Sequence, residues 1–323
     1  MTDTEQAENL NILNSIARIA EFKGRWESLG QLVPGRLKAL QRVANMESAA
    51  AMGRLKGIRC SDRQIGEFLA GKTSAATLSG EEQAVITGFS NVLKMVNESY
   101  DQVSFIENHV LQMHDLIITD NVQNLAQGAD STAQLTELVS GTTAALKEGK
   151  LHPLLVAANF SFHFWHMHPF RQGSERLSWL LTRLLLLRNG YYYLPYGSIE
   201  HFLERRLKDY KSKLKFTFVG EPVDSDQEAW LEMFLKAMID LQDNITAKIN
   251  REKELLKLKT PHLEIIRVVQ EHGRSDISGI MAETGMNRNT LKIRLRKLAA
   301  EKHLVQNGRG KSTYYTLPDL HLR

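Results

Sequence analysis

Apolar residues recur at helical spacing along most of this chain, and strand-like alternation is scarce before residue 300. The spacing predicts helices over 10–22 and 34–52, the second opening on Pro34, a residue suited to a first helical turn. Ser61-Asp62-Arg63-Gln64 has the form of a capping box leading into Ile65 and Leu69. Further helices are predicted near 80–98, 103–117, 131–148, 151–167, 173–189, 197–214 and 224–258. The most apolar run, Leu177 to Leu187, is interrupted by Arg183 and flanked by Arg176 and Arg188. It is too short and too charged to span a bilayer and reads as a buried helix.

The pattern changes after the charged stretch Asn250 to Lys259, where Thr260-Pro261 opens a new unit. Three regions are therefore expected: a helical region over 1–100 packed on the core, a core with its connector helix over 101–257, and a small domain over 258–323. In the last, Ile265, Ile266, Val268 and Val269 give a first helix an apolar face, ended by His272-Gly273. A second helix, Ile277 to Thr284, starts after Ser275 or Asp276 and closes on Gly285. A third, Arg288 to Lys302, starts after Asn287, so the turn between them has helix-turn-helix spacing. Leu304 to Gln306 and Ser312 to Leu317 are expected as two short strands around a basic, glycine-containing tip. This is the pattern of a winged helix. Arg288, Asn289, Lys292, Arg296 and Lys297 would face phosphates and base edges, and Arg309 and Lys311 would lie on the wing. A winged helix used only for protein contacts, or a charged solvated helix, is the alternative.

Charge strengthens that reading. The formal net charge of the 323 residues is +4, yet Pro261 to Arg323 alone holds eleven Lys/Arg against six Asp/Glu. The basic excess thus sits in the last fifth of the chain, as a nucleic-acid footprint would. The single cysteine, Cys60, excludes an internal disulfide and suits a reducing compartment, most simply the cytoplasm. The acidic start Met1-Thr2-Asp3-Thr4-Glu5 lacks the form of a signal peptide. No membrane role is expected.

The most unusual stretch is His168-Pro169-Phe170-Arg171-Gln172-Gly173-Ser174-Glu175-Arg176-Leu177-Ser178-Trp179. A helix, a tight loop beginning His-Pro-Phe, and a second helix N-terminus make an anion-binding geometry. A histidine at the start of the loop could act as a general base. These residues resemble the signature of the Fic family, His-Pro-Phe-x-Asp/Glu-Gly-Asn-Gly-Arg-x-x-Arg, whose members mostly transfer AMP from ATP to a protein hydroxyl. The resemblance extends over most of residues 10 to 215. It takes in Glu21 to Trp26, Arg54 to Gly57 with Ser61 to Arg63, and Leu184 to Tyr196, which look like the branch carrying a C-terminal winged helix. The fold it implies is mainly α, a Fic-type helical core with an N-terminal helical region, followed by a small winged-helix domain.

The resemblance implies His168 as the base and Gly173, Ser174 and Arg176 as the nucleotide or anion contacts. Several positions depart from the pattern. Gln172 stands where an acidic residue holds Mg²⁺, and a neutral amide is a poor ligand for it. Ser174 replaces an asparagine, Glu175 a glycine, and Trp179 the second arginine. Arg183, one turn later, could stand in for that arginine only with shifted geometry. Met52, Lys56 and Gly57 occupy the positions of the family's inhibitory motif, Ser/Thr-x-x-x-Glu-Gly, so its glutamate is missing together with the arginine it would pair with. Between Ile118 and Ser131 no alternating pattern marks the target-docking flap.

His152, His163, His166 and His168 invite a metal reading, but no carboxylate or cysteine set completes a site, and none is expected. Tyr191, Tyr192, Tyr193 and Tyr196 read as packing residues, Gly220 to Asp226 as a surface loop, and Lys56 as a solvated lysine. The expectation is a homodimeric DNA-binding regulator on a degenerate Fic fold, the core serving dimerisation or ligand sensing, with no cofactor assigned. The alternative is an active AMP transferase using His168, with ATP and Mg²⁺ as partners and a protein as target. A third reading is a core that holds a nucleotide or other anion without turnover.

Overall fold

The computed structural model describes residues 3–29, 34–71, 78–118, 128–213 and 224–318. It is mainly helical and divides into two compact units, Met1–Ile245 and Thr246–Arg323. The first holds α1 (Asp3–Leu29), α2 (Pro34–Leu55), α3 (Asp62–Leu69), α4 (Gly80–Ser99), α5 (Glu107–Ile117), α6 (Gly128–Glu148), α7 (Pro153–Met167), α8 (Ser174–Arg188) and α9 (Ile199–Lys213). Most of α10 (Asp224–Leu256) follows. Among the described residues, no helix is long and apolar enough to cross a membrane.

The helices begin where local chemistry allows. Ser61 and Ser79 close capping boxes with Gln64 and Glu82 at the starts of α3 and α4, satisfying backbone N–H groups that a helix start leaves open. Pro153 opens α7, and the His152 ring accepts from Leu154 N. At the centre α7 packs along α8, with α4 and α5 also against α8 and α6 against α7. From Arg176 to Leu187 every residue of α8 is buried. A helix that is apolar nearly all round belongs inside a core, so the run too short for a membrane is the spine of this unit.

Several polar groups in that core are paired. The Arg183 guanidinium makes a bidentate contact with Glu200 at 3.0–3.1 Å and donates to Leu194 O, Gly197 O and Asn97 Oδ1. Ser48 Oγ donates to Glu200 from α2 at 2.7 Å. Trp165, Trp179 and Trp230 form a buried aromatic cluster, Trp179 stacking on Trp230 with centroids 5.6 Å apart. The tyrosine expectation holds for Tyr191 and Tyr193, both buried, the latter bonded to Gln242. Tyr192 is instead exposed against Tyr100.

The second unit contains α11 (Thr260–His272), β1 (Arg274–Asp276), α12 (Ile277–Thr284), α13 (Arg288–Ala300), β2 (Val305–Asn307) and β3 (Tyr314–Thr316). The strands form an antiparallel sheet in the order β1-β3-β2, with Val305 and Arg274 both opposite Thr316. Ile265, Ile266, Val268, Val269, Ile280, Leu291, Leu295, Leu298, Leu304 and Tyr315 form its core. Leu255 belongs to that core too, so this unit starts before the boundary at 258 that composition suggests. The charged connector hides one apolar anchor. Strand β1 is unannounced in the sequence, because three polar residues carry no period. Helix α13 stops at Ala300 rather than Lys302, which has the positive φ of 60° that ends a helix.

The segment where no flap pattern was found falls mostly on 119–127, outside the described residues, while 128–130 belong to α6. Gly220 to Val223 also lie outside them, and Asp224 to Asp226 open α10 instead of ending a loop.

Candidate functional site

Helix α7 ends on His168, whose backbone is left-handed at φ 42°. That conformation is disfavoured for a residue with a Cβ, and here it turns the chain sharply into Pro169-Phe170. The turn is held from two sides. Ser174 Oγ accepts from Phe170 N at 3.0 Å and donates to Phe170 O at 2.9 Å. Ser174 is itself buried, and this hydroxyl closes the loop. From α5, His114 stacks on the Phe170 ring at 3.7 Å, and its Nε2 meets the Gln172 carbonyl at 2.8 Å. A carbonyl can only accept, so that nitrogen carries a proton. Burial lowers the His114 pKa from its ordinary 6.5, a shift the Gln172 contact partly opposes.

Gly173 then caps α8 with φ 84°, a conformation glycine adopts without strain. No side chain caps this helix start, leaving its first N–H groups open for an anion. Arg176 lies one turn in and is only 2% exposed. Its Nε and Nη1 are buried with no hydrogen-bond partner among the described residues. Burial lowers its pKa, while the charge of Glu175 raises it. An uncompensated buried cation is costly, so this corner is suited to an anion.

The other expected pieces lie elsewhere. Trp179 is packed in the tryptophan cluster, and Arg183 is locked to Glu200, so neither reaches for a phosphate. Substitution by Arg183, which the spacing left open, is ruled out by burial. The Gln172 side chain is exposed, and among the described residues no group of three or more His, Cys, Asp or Glu could hold a metal ion. The Mg²⁺ that the resemblance implies does not fit this donor set. Met52 is buried in α2, while Lys56 and Gly57 sit exposed in the turn after it, Gly57 with φ 85°. Arg54 beside them is tied to Glu204 and Asp62.

In the second unit, α13 is capped by Asn287, which accepts from Thr290 N at 2.9 Å, and α12 by Asp276 at 2.7 Å from Gly279 N. Leu291, Leu295 and Leu298 turn inward, and Arg288, Asn289, Lys292, Arg296 and Lys297 are all exposed. Lys297 lies 3.7 Å from Glu301, a loose exposed pair. Between β2 and β3, Gly308 has φ 75°, and a Cβ there would come within 2.5 Å of Ser312 O, so only glycine fits this tip. Arg309 is exposed there. Lys311 lies in a short turn, and its side chain is outside the described ones.

Sequence reasoning passed over His114 and Ile293. His114 sits on the buried face of α5 with Val110, Met113 and Ile117, which resembles ordinary core packing. Ile293 is out of phase with the three leucines, a signal that was legible.

Residues 100–186 match the model of the Fic/DOC family. The chain is 24% identical over 266 residues to a protein adenylyltransferase Fic of Drosophila persimilis, covering 79% of this chain and 50% of that protein. To the protein of the same name in Drosophila willistoni it is 25% identical over 212 residues, covering 58% and 41%. It thus spans about half the length of the curated relatives it matches. Among solved structures, a Fic family protein from Desulfovibrio desulfuricans G20 superposes with a TM-score of 0.58 at 18% identity, covering 95% of this chain and 96% of that one. Fic-1 (residues 134–508) from C. elegans gives 0.56 at 16% identity, covering 77% and 73%. The fold is that of Fic proteins.

Proposed function

We propose that this chain, whose residues 100–186 match the Fic/DOC family, is a DNA-binding regulator. In this reading 258–323 is a winged helix that docks α13 in a major groove, and the Fic-type core is a dimerisation or anion-sensing platform. The observation that carries it is the exposed polar and basic face of α13 opposite three buried leucines. Such a face matches the charge of DNA, and basic residues at the wing tip suit its backbone. The core supports a sensing role: it keeps an anion-suited corner at Gly173 and Arg176, while its motif is degenerate around it. Gln172 offers no carboxylate, Trp179 and Arg183 belong to the core, and Glu175 places negative charge in the first turn of α8.

The test is titration of the full chain against duplexes selected from a random pool, at several salt concentrations. Arg288→Ala or Lys292→Ala should weaken binding, and His168→Ala should not. Failure to bind any specific duplex at moderate salt would sink this reading.

A second reading is AMP transfer with altered chemistry, favoured by the relatives named protein adenylyltransferase and by the buried Arg176. His168 would take the proton of a target hydroxyl, and Arg176 would contact phosphate. Calorimetric titration with ATP, with and without Mg²⁺, separates the two. Binding in the micromolar range that Mg²⁺ strengthens, removed in Arg176→Ala, would favour the enzyme. No binding up to millimolar ATP would leave the core without a nucleotide role.

A further inference from the structure

Ile293 is the most exposed large hydrophobic residue among those described, at 68%. It lies on the helix reserved above for DNA, and its neighbours there are specific. At about 100° per residue, Asn289, Lys292, Ile293 and Arg296 share one face of α13, and all four are exposed. Leu291, Leu295 and Leu298 occupy the opposite face, within the core. Arg288 and Lys297 fall on the two flanks, also exposed. The result is an apolar side chain at one edge of a polar strip, with Lys297 beside it and Arg288 on the far flank.

That arrangement fits one surface well. The walls of a major groove are phosphate, which the flanking cations suit, and its floor is made of base edges. The floor offers donors and acceptors for Asn289, Lys292 and Arg296, and a single apolar group, the thymine C5-methyl. A second copy of the same face is a poor occupant, because Arg288, Lys292, Arg296 and Lys297 would meet their own like charges. We infer that Ile293 reads a thymine methyl in the bound DNA, beside hydrogen bonds from Asn289, which suits adenine, and from Lys292 or Arg296, which suit guanine. Ile293 is then the specificity-determining residue for one A·T pair. The inference rests on the DNA-binding reading and adds to it which base is recognised and by which atom group.

The experiment uses the full chain and the duplex it selects from a random pool. Each thymine in that duplex is replaced in turn by uracil, which pairs identically and lacks only the methyl. One replacement should weaken wild-type binding about four-fold, the worth of one methyl removed from water. Ile293→Ala should bind the thymine and uracil duplexes equally and more weakly than wild type, with unchanged thermal stability because the residue is exposed. Its salt dependence should stay as in wild type, since no phosphate contact is lost. A selected duplex indifferent to every uracil replacement, or discrimination that survives Ile293→Ala, overturns this inference and leaves DNA binding standing. A change in oligomeric state with unchanged DNA affinity in Ile293→Ala also overturns it, assigning the residue to a protein contact. Selection of no duplex at all overturns the DNA-binding reading and this inference together.

Discussion

Helices α8 and α13 both carry arginines among leucines, yet they use them in opposite ways. In α8 the apolar residues run all round, so Arg176 and Arg183 are carried inside. In α13 the leucines keep to one stripe, and the cations remain in water. Inside, a cation must find a partner. Arg183 has found Glu200 and three further acceptors, whereas Arg176 has two buried nitrogens with none among the described residues. On the exposed helix no partner is needed, and the charge stays available to a ligand. The same residue type is scaffold where it is buried and paired, and recognition surface where it is solvated.

The largest effect should come from breaking the buried pair. Glu200→Ala strands the Arg183 charge and should cost about 3–5 kcal/mol of stability in chemical denaturation. A cost as small as an exposed pair shows, about 1 kcal/mol or less, would break the contrast between the two helices. On the other side, Arg296→Ala should leave stability nearly unchanged. It should weaken DNA binding by about 1–3 kcal/mol if it touches a base edge, or lower the salt slope by about one if it touches phosphate. Anisotropy titrations at several salt concentrations read both.

Two smaller effects sharpen the picture of the His-Pro-Phe loop. Ser174→Ala leaves the buried Phe170 amide without its acceptor and should lower stability by about 1–3 kcal/mol, measured by denaturant midpoint. If its effect fell instead on ligand affinity alone, Ser174 would count among the anion contacts. His114 adds a pH dependence. Its folded pKa lies below the ordinary 6.5, so near and below that pH the unfolded chain binds the extra proton first. The contribution to stability is therefore full above about pH 6.5 and declines on acidification toward the lowered folded value. His114→Gln should flatten that part of the stability profile, followed by thermal melting between pH 7.5 and 5.5. An unchanged slope would place the titration at another histidine that burial shifts downward, His152 or His163.

Much of this was legible in the residues. Helix positions followed from spacing, and Asn287 was identifiable as a cap because capping needs only neighbours in sequence, while the structure chose Asp276 over Ser275 for α12. The His-Pro-Phe stretch was visible as a helix, loop and helix for the same reason. Its partners were not. Nothing near Gln172 in sequence points to His114, fifty-eight residues earlier, and the roles of Ser174 and Arg183 depended on which atoms burial brought beside them.

The amino-acid order by itself determined the periodic elements, the basic last fifth of the chain and the kinship of its central motif. All three are local or compositional properties, carried by neighbours a few residues apart. The tertiary structure alone decided which polar side chains are consumed in holding the core and which stay free to meet a ligand. It assigned Arg183 to Glu200, Trp179 to a tryptophan cluster and Leu255 to the second core. The physical reason is that burial and pairing are set by distance in space, which helical spacing constrains along one element and leaves open between elements.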